Sequence, residues 1–119
     1  MLLMTLLTLA GAVHPTAAPS TPQPAEAVVI RFKADKTRDG TYRAEATLKG
    51  CSTRSSGTRN AAAKGHDVRL RIRPPRSGWC AGTYKATVYF KQEQHCPPTI
   101  SCGGTADVAI GSTRFTVGG

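Results

Sequence analysis

The stretch 76-RSGWCAGTYKATVYF-90 decides the fold, because a Trp-Cys pair stands in it just before a glycine and a run of strict alternation. Tyr84, Ala86, Val88 and Phe90 fall on one side of that run, while Thr83, Lys85, Thr87 and Tyr89, with Lys91 just beyond, fall on the other. Period two is the mark of a strand with one face buried. Cys80, at the head of this strand, is a nucleophile, a metal ligand or a staple, and each choice makes a different protein.

The same alternation recurs outward from this stretch. Val28, Ile30, Phe32 and Ala34 share one parity, and Tyr42, Ala44, Ala46 and Leu48 share another, with Asp39-Gly40 between the two runs. This pattern predicts a hairpin. In 66-HDVRLRIRP-74, Val68, Leu70 and Ile72 lie inward, Arg69, Arg71 and Arg73 lie outward, and Pro74-Pro75 ends the strand because proline cannot donate to a ladder. In the last run Val108 and Ile110 have one parity and Phe115 and Val117 the other, so a bulge at Gly111-Ser112 is expected to restore the inward direction. Residues 52–65 read as a long polar loop with room for one short irregular strand. No amphipathic helix of ten or more residues is written anywhere, and five or more short strands separated by polar turns predict an all-β sandwich or barrel.

Ahead of the strands, Leu2 to Leu9 form an apolar run that passes into Ala10-Gly11-Ala12, which fits the small-residue rule for signal-peptide cleavage. The run is too short to span a bilayer, which takes about 20 apolar residues, so no membrane span is expected. No Lys or Arg precedes it, which places the expected start codon upstream of Met1. We therefore read residues 1–12 as a signal peptide. Residues 13–27, with prolines at 15, 19, 22 and 24, read as a disordered Pro/Ala/Thr linker, and residues 28–119 as the folded domain. The expected location is extracellular.

Export decides how the cysteines are read. Disulfides form and persist outside the cytosol, so Cys51, Cys80, Cys96 and Cys102 are expected to make two bridges, for which three connectivities exist. The preferred one joins Cys51 to Cys80 and Cys96 to Cys102, the longer bridge contributing about 3 to 4 kcal/mol. Simple up-and-down strands would place Cys51 and Cys80 at opposite ends, so this pairing requires the polar loop to carry the chain back. A reactive Cys80 would need a base and an orienting group, and neither His66 nor His95 stands in a catalytic signature. A zinc site drawn from His66, His95, Cys96 and Cys102 matches no usual ligand spacing, and such thiols would oxidise first. Asp35, Asp39, Asp67 and Asp107 sit singly at turns or strand ends, without the pairing that glycoside hydrolysis requires. The expectation is a non-enzyme with no cofactor and no metal.

The net charge of +9 lies wholly in the part after the leader, since every Lys and Arg falls at or beyond Arg31. Such a balance favours anionic partners and says nothing about fold. The outward Arg69, Arg71 and Arg73 form a candidate anion-binding stripe. If the third and fourth strands are neighbours, Lys85, Tyr89 and Lys91 join it. Set against this is the plain role of charge in keeping a strand face soluble and its edge unpaired. Stacking aromatics are scarce and nucleic-acid motifs absent, so no specific nucleic acid is expected.

The order of a Cys after the second strand, a basic alternating strand, GWCAGTYKATVYF, a Cys pair in the next loop and a terminal IGSTRFTV resembles small secreted actinobacterial proteins with an immunoglobulin-like β-sandwich. The likeness runs from Val28 to Val117. It implies an immunoglobulin-like fold, two disulfides within the domain and no enzymatic residue. The expected function is a secreted, monomeric binding or structural module that contacts anionic cell-wall or extracellular polymers through a basic strand face. The alternatives are a secreted protease inhibitor presenting Arg54 or Arg59 from the polar loop, an anion-binding domain for nucleic acid or lipid headgroups, and an enzyme that gathers His66 or His95 with a carboxylate.

Overall fold

The computed structural model describes residues 13–34, 40–60, 67–92 and 107–118. The expected signal peptide and the second cysteine pair, Cys96 and Cys102, lie outside them. The described residues contain eight strands and no helix, so none is long and apolar enough to cross a membrane. The strands are β1 (Thr16–Ala18), β2 (Val28–Lys33), β3 (Gly40–Thr47), β4 (Arg54–Ser55), β5 (Arg59–Asn60), β6 (Asp67–Ile72), β7 (Gly82–Gln92) and β8 (Val108–Val117). They form two sheets. The smaller is ordered β1-β2-β6, and the larger β4-β3-β7-β8 with β5 also on β3. Every observed pairing is antiparallel.

The alternating residues do what their parity requires. Val28, Ile30 and Phe32 of β2 with Val68, Leu70 and Ile72 of β6 line one wall of the core, and Tyr42, Ala44, Ala46, Tyr84, Ala86, Val88 and Phe90 line the other. Phe32 meets Tyr42 edge-on across the gap at 5.2 Å, and Tyr42 lies 5.0 Å from Phe90. At the other end Tyr84 stacks on Phe115, and both meet the ring of Trp79 edge-on. Such aromatic pairs contribute about 0.5 to 1.5 kcal/mol each beyond the area they bury.

Pairing departs from parity. The expected hairpin of the first two long strands does not form, because β2 pairs with β1 and β6 while β3 pairs with β7 and with β4 and β5. Each of these strands buries a full apolar side, and two such sides are best covered by facing one another across a core rather than by lying side by side.

The Pro-rich stretch differs more. Expected as a disordered linker, it carries β1, whose Thr16, Ala17 and Ala18 stand opposite Arg31, Ile30 and Val29, and β1 ends at a cis Ala18-Pro19 bond. It also reaches the other sheet: Val13 N–H donates to Ile110 at 3.0 Å, and Thr116 N–H donates to Ser20 at 2.9 Å. Val13 is buried in the common core. Further along, Trp79 N–H donates to Pro24, and its indole Nε1–H donates to the Glu26 carbonyl at 2.8 Å. Proline suits such a strap, since it lacks only the donor that an edge position does not need. The folded unit therefore begins well before Val28.

Gly111 shows why the strap fits. A side chain there would place its first carbon 2.6 Å from the Val13 carbonyl oxygen and 3.0 Å from Pro15, so only glycine admits the crossing. The bulge lies one step earlier than expected: Gly111 stands opposite Val88 and Ala109 opposite Tyr89, which leaves Ile110 as the extra residue. Val108, the first residue of β8, stands opposite the inward Phe90 but is 57 % exposed, while Phe115 and Val117 are buried as expected.

The polar loop resolves the disulfide. Cys51 and Cys80 are joined, with Cα atoms 6.4 Å apart. Thr47 near the end of β3 faces Lys85 near the start of β7, so both cysteines lie at the same end. Between them β4 and β5 run back along the edge of β3. Ser56, between these two short pieces, keeps the edge satisfied: its N–H donates to the Ala44 carbonyl, and its Oγ accepts from Ala44 N–H, both at 2.8 Å.

Candidate anion-binding face

The residues singled out from the sequence fall on two different surfaces. Arg69 and Arg71 point outward from β6, with Arg73 just past its end, and all three are exposed. Lys85, Tyr89 and Lys91 point outward from β7, in the other sheet. The condition for joining the two sets, adjacency of these strands, is not met. The two apolar sides face each other, so the two polar sides look away in opposite directions.

What joins the arginines instead comes from β2. The register sets Arg31 directly opposite Arg69, Val29 opposite Arg71 and Lys33 opposite Asp67, with Thr16 of β1 on the far side of Arg31. Neighbouring strands are about 4.8 Å apart, and residues two apart along a strand about 7 Å, so Arg31, Arg69 and Arg71 form a compact cationic group. Like charges directly opposite each other destabilise a sheet. Among the described residues no carboxylate pairs with Arg31, Arg69, Arg71 or Arg73, since the ion pairs there belong to Arg43. Beside Arg31 a hollow of about 320 Å³ is lined by His14, Thr16, Arg31, Phe32, Lys33 and Asp67. Guanidinium groups offer planar forks of donors that match carboxylate, sulfate or phosphate oxygens two at a time.

The opposite face is built differently. Arg43 on β3 donates from Nη2 to Asp107 at 2.8 Å, from Nε to the same oxygen at 3.1 Å and from Nη1 to Glu45 at 3.2 Å. Its guanidinium also lies 4.6 Å over the ring of Tyr89, the residue directly opposite it. Above all the hydrogen bond to Asp107, with Glu45 adding to it, raises the guanidinium above its ordinary range despite partial burial. Tyr89 is thus occupied by a cation of its own sheet. Lys85 stands between Thr47 and Arg114, and Lys91 opposite Thr41.

The other candidates can be placed as well. Arg54, considered for presentation to a protease, is turned back on the chain: Nε donates to the Arg73 carbonyl at 3.0 Å and Nη2 to that of Pro74 at 3.5 Å. Arg59 is exposed on β5. Asp107 is held by Arg43, and Asp67 lies exposed on β6. His66, His95, Cys96, Cys102, Asp35 and Asp39 lie outside the described residues. Among those described, no cluster of three or more His, Cys, Asp or Glu is placed to hold a metal.

No protein-family model, no curated protein and no solved structure matches the chain.

Proposed function

We propose that this chain is a secreted, non-catalytic binding module of immunoglobulin-like fold whose β2–β6 face holds anionic cell-wall or extracellular polymers. The observation that carries the reading is the register that sets Arg31 against Arg69, beside Arg71, without a carboxylate partner among the described residues. A face kept only for solubility gains nothing from opposed like charges, whereas a polyanion threaded across it converts that repulsion into binding.

The strand order supports the fold. β1-β2-β6 facing β3-β7-β8 corresponds to strands A-B-E facing C-F-G of an immunoglobulin-type domain. Tyr84, at the start of the F-like β7, accepts a hydrogen bond at its hydroxyl from Cys80 N–H four residues upstream, 2.8 Å away, in the manner of a tyrosine corner. Export is supported by the apolar run ending in Ala10-Gly11-Ala12 together with the Cys51–Cys80 bridge. On this reading Cys96 and Cys102 form the second bridge, and thiol titration of the denatured chain finds no free cysteine.

Retention on immobilised heparin, eluted with a salt gradient, tests the binding. Exposed cation–anion contacts contribute up to about 1 kcal/mol each, so the triple change R31S/R69S/R71S weakens binding roughly thirty- to hundredfold and lowers the salt needed for elution. Unchanged elution by a variant with unaltered circular dichroism would overturn the reading.

A further inference from the structure

β6 is the last strand of its sheet. β2 takes one side of its backbone, and among the described residues no strand pairs with the other. That side opens on a cleft of about 380 Å³, lined by Leu70 and Arg71 of β6 and by Gly57, Thr58 and Arg59 from the margin of the facing sheet. Among the described residues nothing lies within 4 Å of where a side chain on Gly57 would begin, so they leave this wall clear. Beyond the strand, Arg54 already occupies the carbonyls of Arg73 and Pro74. Among the described residues, the part of the edge left open is therefore the run from Val68 to Ile72.

An open edge is a template for another strand, and its charges decide which one. A second copy of β6 laid antiparallel would bring arginine against arginine, which like-charge repulsion opposes. An extended segment with a carboxylate at every second position meets the same arginines as opposite-charge neighbours. Its other residues would lie toward Gly57 and Thr58, where there is space for them.

We propose that the β6 edge accepts an acidic extended segment of another polypeptide as an added strand, with alternate carboxylates beside Arg69 and Arg71. This goes beyond the polyanion reading, because backbone pairing and not charge alone does the recognising. The two can fail separately: Arg31 sits on central β2, within the cationic face but away from the edge.

The probe is a ten-residue peptide alternating Glu and Thr, labelled for fluorescence anisotropy and titrated with the full chain. Two further peptides carry N-methyl groups on every Glu or on every Thr. Only one of these sets directs its N–H groups toward β6, so one methylated peptide binds at least about tenfold more weakly while the other binds like the parent. Because the protein is unaltered in this comparison, its folding does not enter. R71E weakens the parent peptide by about five- to tenfold, whereas R31S lowers heparin retention and leaves peptide binding within about twofold. The proposal is overturned if the parent peptide does not bind, if both methylated peptides bind as well as it does, or if sedimentation shows β6 already occupied in a homodimer that R71E dissociates.

Discussion

The two outer faces of the molecule carry the same residue type to opposite ends. On the larger sheet Arg43 is met by Asp107, Glu45 and the ring of Tyr89, and its charge is spent within the protein. On the smaller sheet Arg31 and Arg69 meet each other, and no carboxylate among the described residues meets either of them. The total charge is blind to this difference, because what decides it is which strand lies alongside. A basic protein is thus better described by the register of its cations than by their number.

The comparison is most severely strained by loosening the frame that both faces share. Replacing Cys51 and Cys80 with alanine frees a loop closed over a separation of 29 residues and costs about 3.5 kcal/mol, read as a lower urea midpoint by Trp79 fluorescence. Heparin retention in native buffer should survive this change, since neither cysteine belongs to the cationic face. Loss of retention in a chain that is still folded would show that the two properties are not separable.

Arg43→Ala sharpens the contrast from the other side. It removes two partly exposed ion pairs and a cation–π contact, and we expect a loss of about 1 to 1.5 kcal/mol in stability with heparin elution unmoved. A marked fall in retention would mean that the larger sheet also binds. The smallest effect is the most pointed. Arg31→Glu places an opposite charge across from Arg69 and should stabilise the chain by roughly 0.5 kcal/mol while weakening its retention. A variant that gains stability and keeps full retention would remove the reason for leaving those arginines unpaired.

Much of this architecture was legible because strands bury alternate residues. The inward sides of β2, β3, β6 and β7 follow from period two alone, and the staple reading of Cys80 follows from an even cysteine count behind a leader-like apolar run, with no base in a catalytic signature. Partners are another matter. Parity says which side of a strand is buried and nothing about which strand lies beside it, so β2 and β3 read as a hairpin although they part into different sheets. For the same reason the arginine stripe was visible, whereas its true neighbours Arg31 and Lys33 were not, and Lys85, Tyr89 and Lys91 were attached to the wrong face. Prolines hid the strap altogether. Its affinity lies in backbone hydrogen bonds to Ile110, Thr116 and Trp79, which no side-chain pattern writes into the sequence.

That strap also orders events in time. Val13 closes on Ile110 and Ser20 on Thr116, so the earliest described residues are completed by the latest. Contacts between distant parts of a chain are slow to form, because the entropy of closing the loop is lost before any contact rewards it. A ribosome that has delivered everything short of β8 has therefore delivered a chain whose first segment can pair with β2 but still lacks its contacts to the larger sheet. Until the last strand arrives, the strap is held to one sheet only, and the bridge it makes between the two sheets is the final piece of the fold.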